Sequence, residues 1–314
     1  MAEDAGPASR SPGPADVAAV VVTYHPEPEA TEALLRALAP QVGWVVVVDN
    51  GSPAPTVDRL RALADELGAR LDPLGTNRGI AAAQNVGVAH ARRTGARFVL
   101  LSDQDSLPAA DMVERLLAGF LRAAADGPVA AVGPVTVDER NGSAPLVFSD
   151  HRWGPRRAEA SAARLVPVTF LLASGCLIET AALDVVGPMN DAWFIDHVDL
   201  EWGLRAHRAG FALYAVADAR LAHSLGDRTQ RVPGRSRDVH IHSPERNYYM
   251  ARNTVLLMRS GLLPARWVWG YAFWITKYAV FYVLAVRPRL RRGLLLARGL
   301  RHGVAGRTGP LRRD

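Results

Sequence analysis

The sequence predicts an α/β fold: a mainly parallel sheet flanked by helices. Three observations predict it. Short apolar runs alternate with amphipathic stretches of helical period through the first half of the chain, the order that builds βα units. Several runs stop abruptly at polar turn residues, as strands do at the edge of an open sheet. The 314 residues, 49% hydrophobic and 22% charged, suffice for a full core.

The elements follow in order. Val17–Thr23 is an apolar run that stops at Tyr24-His25-Pro26, a strand and its loop. Glu29–Ala39 carries Leu34, Leu35 and Leu38 at helical spacing and ends before Pro40. Trp44–Val48 is a second strand, closed by the turn Asp49-Asn50-Gly51-Ser52. Val57–Leu67 reads as an amphipathic helix, Ala69–Leu71 as a short strand, Gly75–Gly79 as a loop and Ile80–Thr94 as an alanine-rich helix. Phe98–Leu101 is the next strand and Ala109–Ala124 the next helix. Pro128–Val137 adds a strand, and Asn141–Arg164 is irregular. Val166–Ile178 is a long apolar run interrupted by Ala173-Ser174-Gly175. Helices are expected at Glu179–Val186, ended by Gly187-Pro188, and at Val198–Ala209, stopped by Gly210. Phe211–Val216 is a strand, Gly226–Ser243 a polar, basic loop and Pro244–Ser260 a helix. There is no internal repeat, no GxGxxG fingerprint and no Walker P-loop.

Trp267–Val286 has Lys277 as its sole charge and is long enough to span a bilayer. Its aromatics run along the whole stretch instead of forming two end belts, and Lys277 is central. Three readings stay open: a helix lying in the lipid interface, a packing or dimer helix that would make a homo-oligomer, and a span. The charge is uneven. From Arg287 onward nine arginines face one acid, Asp314, so the tail holds +8 and the remainder −2 of the net +6. That distribution disfavours a nucleic-acid-binding domain and suits an anionic membrane surface, at about 1 kcal/mol per basic side chain held near it. Residues 1–15 read as a disordered lead-in without the apolar stretch of a signal peptide. Cys176 is the sole cysteine, which rules out an internal disulfide and fits a reducing compartment. The expected location is cytoplasmic, peripheral on the inner face of the cell membrane.

Candidate chemistry gathers at the carboxyl ends of the strands, which share one edge in a parallel sheet. Val99–Ser106 ends an apolar run in Asp103-Gln104-Asp105. Two hard oxygen donors suit Mg²⁺ or Mn²⁺, whose shell a substrate phosphate completes; the alternative is a solvated turn. Thr23, Tyr24 and His25 follow the first strand, with Tyr24 able to stack on a base. Asp49 can accept from a base N–H or a ribose hydroxyl, or simply make a turn. Asn77 and Gly79 open a helix near whose first turns Asn85 lies, a place that favours an anion. Farther on, Asp196, Asp199 and Glu201 fall within six residues. Glu201 and Arg205 are four apart and can pair, and Asp196 can cap the helix. Asp199 is then the acid freest to act as general base. His223 follows a strand and can reach a metal or diphosphate, or be an ordinary surface histidine. Arg246, Tyr249 and Asn253 share a helical face that can hold phosphate oxygens or simply be solvated.

In combination and order, the motifs Val-Val-Thr-Tyr-His-Pro, Val-Val-Asp-Asn-Gly-Ser, Asn-Arg-Gly-Ile-Ala-Ala-Ala-Gln-Asn-Val-Gly, Ser-Asp-Gln-Asp, Ala-Ser-Gly-Cys and Asp-His-Val-Asp-Leu-Glu-Trp-Gly-Leu-Arg resemble glycosyltransferase family 2, inverting enzymes of GT-A fold. The likeness covers about residues 17–260. Ser-Asp-Gln-Asp, Phe-Ile-Asp-His-Val-Asp-Leu-Glu-Trp and Arg-Asn-Tyr-Tyr-Met-Ala-Arg-Asn make it most similar to the bacterial rhamnosyltransferases of polysaccharide assembly. The resemblance implies a GT-A domain over 16–260, its nucleotide-binding half at 16–137 and acceptor half at 138–260, with an aromatic helix and basic tail at 261–314. It implies Asp105 as the main metal ligand, with Asp103 and His223 near the ion. It implies Asp199 as base, with Asp196 beside it, and nucleotide-sugar contacts from Thr23, Tyr24, His25, Asp49, Asn77, Gly79, Asn85, Asp103 and Gln104. Gly175, Glu201, Trp202, Arg205, Arg246, Tyr249 and Arg252 are implied to face the acceptor or the diphosphate. The rhamnosyl likeness implies dTDP-β-L-rhamnose as donor, and the aromatic helix and basic tail motivate a glycan or lipid-linked glycan as acceptor. The middle glutamine of Asp-Gln-Asp, and His25 where many relatives carry asparagine, are departures from the family pattern. A family 2 transferase using another nucleotide-sugar, a metal-using nucleotidyltransferase and an inactive, membrane-associated nucleotide-sugar-binding protein are the alternatives.

Overall fold

Strand β1 (Val17–Thr23) lies at the heart of the sheet because all seven of its residues are buried, as a strand covered on both faces requires. The computed structural model describes residues 11–137, 147–157, 164–223, 229–230 and 239–311. Most of the lead-in, half of the stretch 141–164 and most of the loop 226–243 lie outside these residues. Around β1 stand β2 (Trp44–Asp49), β3 (Arg70–Pro73) and β4 (Phe98–Asp103), all parallel, in the order β3-β2-β1-β4. Helices α1 (Pro28–Leu38), α2 (Ala54–Glu66) and α3 (Ile80–Arg93) connect them. A turn at Gln104-Asp105 leads from β4 into the short β5 (Ser106–Pro108), followed by α4 (Met112–Ala124).

Alternation along the strands divides the core. Val17, Ala19, Val21, Phe98 and Leu100 pack with Leu34, Leu35 and Leu38 of α1 and with Met112, Leu116 and Phe120 of α4. Ala18, Val20, Val99 and Leu101 face the other way, onto α3. Each fully buried Leu or Phe contributes about 1.5–3 kcal/mol relative to exposure. Gly87 lets α3 press against β1, since a Cβ there would meet Val20 Cγ1 at 2.2 Å.

The second half departs from the parallel expectation. β6 (Val129–Val137) is separated from β4 by β10 (Cys176–Glu179), which runs antiparallel to both. The apolar run 166–178 is therefore not one strand. It contains the end of β9 (Leu165–Pro167), and Ala173-Ser174-Gly175 turns the chain into β10. Gly175 sits at φ +82°, a left-handed conformation that costs glycine little. β7 (Phe148–Ser149) and β8 (Arg156–Arg157) form a small hairpin. After α5 (Thr180–Val186) and α6 (Val198–Arg208), β11 (Ala212–His223) runs parallel to β6 and past the expected end at Val216, with a register shift between Val216 and Arg220. β5 and β9 both pair antiparallel to β11, and β12 (Thr229–Gln230) pairs with β13 (Val239–His240).

Three helices close the described chain: α7 (Pro244–Arg259), α8 (Ala265–Ala285) and α9 (Arg289–Val304). Among the described residues no helix is long and apolar enough to cross a membrane. The basic tail is not simply a solvated strip, because α9 packs along α7. Its inner face is Arg292, Leu296, Gly299, His302 and Gly303. Arg292 donates to Asn247 Oδ1 at 2.6 Å and to the His242 carbonyl at 3.0 Å. A Cβ on Gly299 would lie 2.4 Å from the Tyr248 carbonyl.

Candidate active site

Register carries three site residues to one edge. Thr23 pairs with Asp49 across β1 and β2, and Val22 with Asp103 across β1 and β4. β10 begins at the same edge because it runs the other way, which puts Ser174 beside Asp103; its hydroxyl donates to Asp103 Oδ2 at 2.5 Å. Asp105 follows in the turn between β4 and β5. Among the described residues no group of three or more His, Cys, Asp or Glu side chains converges to hold a metal by itself. Asp103 and Asp105 supply two hard oxygen donors, which fits a small divalent cation that keeps water and phosphate ligands.

The loops on the β1–β2 side are tied by specific hydrogen bonds. Gln104 grips the backbone of Tyr24 with both ends of its amide: Oε1 accepts from the Tyr24 N–H at 2.7 Å and Nε2 donates to its carbonyl at 3.2 Å. Tyr24 itself is exposed, free to offer a ring face. Asn50 donates from Nδ2 to Asn77 Oδ1 at 3.2 Å and accepts from the Arg78 N–H at 2.8 Å. Gly79 has φ +90°, and a Cβ there would meet the Phe194 carbonyl at 2.5 Å. That carbonyl accepts from the Ile80 N–H at 2.8 Å, so the start of α3 is docked on the loop that precedes α6.

That loop is strained. Phe194, Asp196 and His197 all have positive φ, at 68°, 67° and 62°, a conformation disfavoured for side chains with a Cβ and concentrated at functional sites. Asn253 holds it from α7, its Nδ2 donating to the carbonyls of Trp193, Ile195 and Asp196 at 2.7–3.0 Å. Arg252 donates to the Trp193 carbonyl at 2.7 Å and to that of Gly309. Asp196 is almost fully buried and pairs with Arg246, Oδ1 to Nη2 at 2.5 Å; Arg246 also meets His242 Nδ1 at 3.1 Å. Thr254 donates to the Met250 carbonyl, so its hydroxyl oxygen, 2.9 Å from His197 Nε2, accepts from that ring. Burial lowers the His197 pKa to about 4, so it is neutral at pH 7.

Asp199 lies in the first turn of α6. Burial, and secondly the negative charge of Asp103, raise its pKa to about 7, against the Ala173 N–H that donates to Oδ2 at 3.2 Å. A carboxyl poised near neutrality is suited to take up a proton. Asp199 also borders two adjoining cavities. The smaller, about 590 Å³, is lined by Thr23, Tyr24, Asn50, Asn77, Gly79, Gln104, Asp105 and Ser174. The larger, about 980 Å³, is lined by Trp153, Phe170, Trp269, Tyr271, Phe273, Trp274 and Lys277. Asp103, Asp199 and Arg246 line both, and Asp105 shares the smaller one with Asp199.

Other expected site residues are engaged elsewhere. Asp49 is fully buried, and its oxygens accept from Thr23 Oγ1, the Gly51 and Ser52 N–H groups and Ser52 Oγ at 2.6–3.1 Å; it shapes its own loop. Asn85 staples α3 to Met189 through both backbone groups. His25 lines neither cavity; its N–H donates to Ser52 Oγ. Glu201 pairs with Arg205, which reaches the Val186 and Pro188 carbonyls. Trp202 is buried and donates to the Gly187 carbonyl at 3.0 Å. Tyr249 stacks on Phe194 and accepts from the Leu311 N–H. Arg252 is fully buried, and Gly175 makes the turn behind Ser174. These eight act as scaffold and, with Asp49, stand outside both cavities, because each spends its polar atoms or its packing on the protein itself. The side chain of His223 lies outside the described residues. Sequence reasoning missed Asn50, Ser174 and His242 as residues of the smaller cavity; Asn50 and Ser174 stand in motifs that carried a signal, whereas His242 carried none.

A model of glycosyl transferase family 2 matches residues 19–187. The chain is 32% identical over 252 residues, 79% of its length and 82% of the relative's, to the dTDP-rhamnosyl transferase RfbF of Shigella flexneri. Among solved structures it resembles S. aureus TarS in complex with UDP-GlcNAc (TM-score 0.56, 16% identity, 92% of this chain and 81% of that one). It also resembles GalNAc-T7 with UDP, GalNAc and Mn²⁺ (TM-score 0.54, 12% identity, 87% of this chain), of whose length it spans 58%.

Proposed function

The chain belongs to glycosyl transferase family 2, and on that premise we propose that it transfers L-rhamnose from dTDP-β-L-rhamnose to a hydroxyl of a glycan or lipid-linked glycan, with inversion at the anomeric carbon. Family membership and the named relative support the activity and the donor. The observation that carries the mechanism is the position of Asp199 at the junction of the two cavities, with Asp103 and Asp105 on the smaller side.

The donor occupies the smaller cavity, its base against Tyr24 and its sugar toward Asp199. The acceptor enters from the larger one. Asp199 takes the hydroxyl proton as the acceptor oxygen bonds to the anomeric carbon; the bond from that carbon to the diphosphate breaks on the opposite face, and dTDP leaves. A positioned base of this kind typically contributes about 10²–10⁴-fold. Asp105 and Asp103 would hold a Mg²⁺ or Mn²⁺ ion, and the ion when bound would supply charge compensation to the departing diphosphate. Arg246, steadied by Asp196, offers a guanidinium to phosphate oxygens from the other wall. The protein works as a peripheral protein on the inner membrane face.

The test is donor binding by calorimetry against dTDP-L-rhamnose, UDP-GlcNAc and GDP-mannose, each with Mn²⁺ and with chelator. The expected result is at least tenfold preference for dTDP-L-rhamnose, weakened by chelation. Equal affinities for all three would overturn the assignment of the donor.

A further inference from the structure

We infer that the outer face of α8 and α9 docks on an anionic lipid bilayer and that the larger cavity opens onto this face, so that the acceptor is an amphiphile delivered from the lipid side. The part about the acceptor rests on the transferase reading; the docking surface does not. Trp269, Phe273 and Leu284 of α8 are 72%, 68% and 65% exposed, and Leu290 and Leu294 of α9 are 78% and 63% exposed. Their spacing, with Val280 also exposed, sets the α8 residues on one stripe of the helix. Scattered exposed apolar residues are ordinary, but several large ones aligned on one helix face, here broken by Thr276, mark an interaction surface.

Charge identifies the occupant. From Arg246 to Arg313 the chain has fourteen Lys and Arg and no Asp or Glu; Arg266, Arg287, Arg289 and Arg301 are exposed beside the stripe. A second copy of this chain would bring the same positive charge to the contact, whereas anionic headgroups neutralise it. An apolar stripe of tryptophan, phenylalanine and leucine flanked by arginine, on a helix that does not span, is the pattern of an element lying in the interface. The link to the site is direct. Trp269, Phe273, Trp274 and Lys277 belong to the exposed face and also line the larger cavity. A sugar head reaching Asp199 would leave its apolar chain along α8, in the lipid.

The experiment is co-sedimentation of the full chain with phosphatidylcholine vesicles containing 30% phosphatidylglycerol, against vesicles of phosphatidylcholine alone. The comparison protein is Leu284→Asp/Leu294→Asp, neither position lining a cavity. Wild type should partition at least tenfold more strongly onto the anionic vesicles, the double variant should lose at least tenfold, and its thermal unfolding and dTDP-L-rhamnose binding should stay unchanged. For the opening, octyl glucoside below its micelle concentration should quench the protein's tryptophan fluorescence at least tenfold more tightly than methyl glucoside. Equal partition onto the two vesicle types, or a dimer in sedimentation equilibrium that the double variant abolishes, would overturn the docking surface. Equal affinity for the two glucosides would overturn lipid-side delivery. Vesicle binding requires no sugar transfer, so its failure and that of the transferase reading are distinguishable.

Discussion

Cutting the chain after Ala305 should slow transfer without loosening the donor. The described residues beyond that point hold the loop that feeds Asp199. The Gly309 N–H donates to the Ala192 carbonyl at 2.7 Å, the Gly309 carbonyl accepts from Arg252, and the Leu311 N–H donates to Tyr249 Oη at 2.7 Å. Arg252 in turn holds the Trp193 carbonyl, and Tyr249 stacks on Phe194. Two neutral bonds at about 0.5–1.5 kcal/mol and one charged bond at about 1.5–3 kcal/mol give a loss of roughly 3–6 kcal/mol. That is below most of the 5–15 kcal/mol typical of a folded domain, so the truncated enzyme should still fold. The strained residues Phe194, Asp196 and His197 would relax, and a shift of about 1 Å in Asp199 lowers turnover on the order of 10²-fold. The assay is steady-state release of dTDP, separating kcat from the donor KM. The expected outcome is kcat down ten- to a hundredfold with the donor KM within twofold, because Thr23, Asn77 and Gln104 sit on the other half. Full kcat in the truncated enzyme would refute the brace, and equal losses in kcat and donor affinity would mean general loosening.

Three other outcomes are expected. Because Asp199 must be ionised to accept a proton and its pKa is raised to about 7, kcat/KM should fall tenfold per unit below that pH, about a hundredfold by pH 5, and a profile flat from 5 to 8 would contradict its role. Stability should show two opposed trends. Asp199, raised, contributes stability that is lost as pH rises from about 4 through 7, whereas His197, lowered to about 4, contributes stability that is lost as pH falls from 6.5 through 4. In Asp199→Asn the His197 trend stands alone, so its thermal midpoint should drop on acidification, and relative to wild type the change should be equivalent to about 4 kcal/mol, the missing Asp199 contribution; matching profiles would contradict this. Gln104→Ala loses both bonds to Tyr24, so the donor KM should rise about tenfold with kcat preserved, checked in the dTDP-release assay.

Much of the site was legible because the sheet edge obeys local rules. Val17–Thr23 and the acids after Val99–Leu101 are apolar runs ended by polar residues, and register then aligns Thr23, Asp49 and Asp103 without further information. The convergence of Asp199 on that edge was legible through resemblance alone, since it depends on β10 and a loop of positive φ that no periodicity encodes. β10 has four residues inside a longer apolar run, so its direction was invisible. The packing of α9 was hidden for another reason. Its buried stripe is Arg292, Leu296, Gly299, His302 and Gly303, with one aliphatic side chain among glycines, an arginine and a histidine, so a hydrophobic pattern has almost nothing to register. Arg205, Arg252 and Asn85, expected at the site, have a related cause: they are polar and bind backbone groups of the protein, and a sequence does not distinguish that use from a grip on phosphate.

The most direct measurement of the central claim is Asp199→Asn, assayed in parallel for dTDP-L-rhamnose binding by calorimetry and for rhamnosyl transfer to acceptor. With Asp199 as the base between the two cavities, the variant should bind donor within threefold of wild type and lose at least 10²-fold in transfer. Transfer retained within fivefold of wild type would contradict the account.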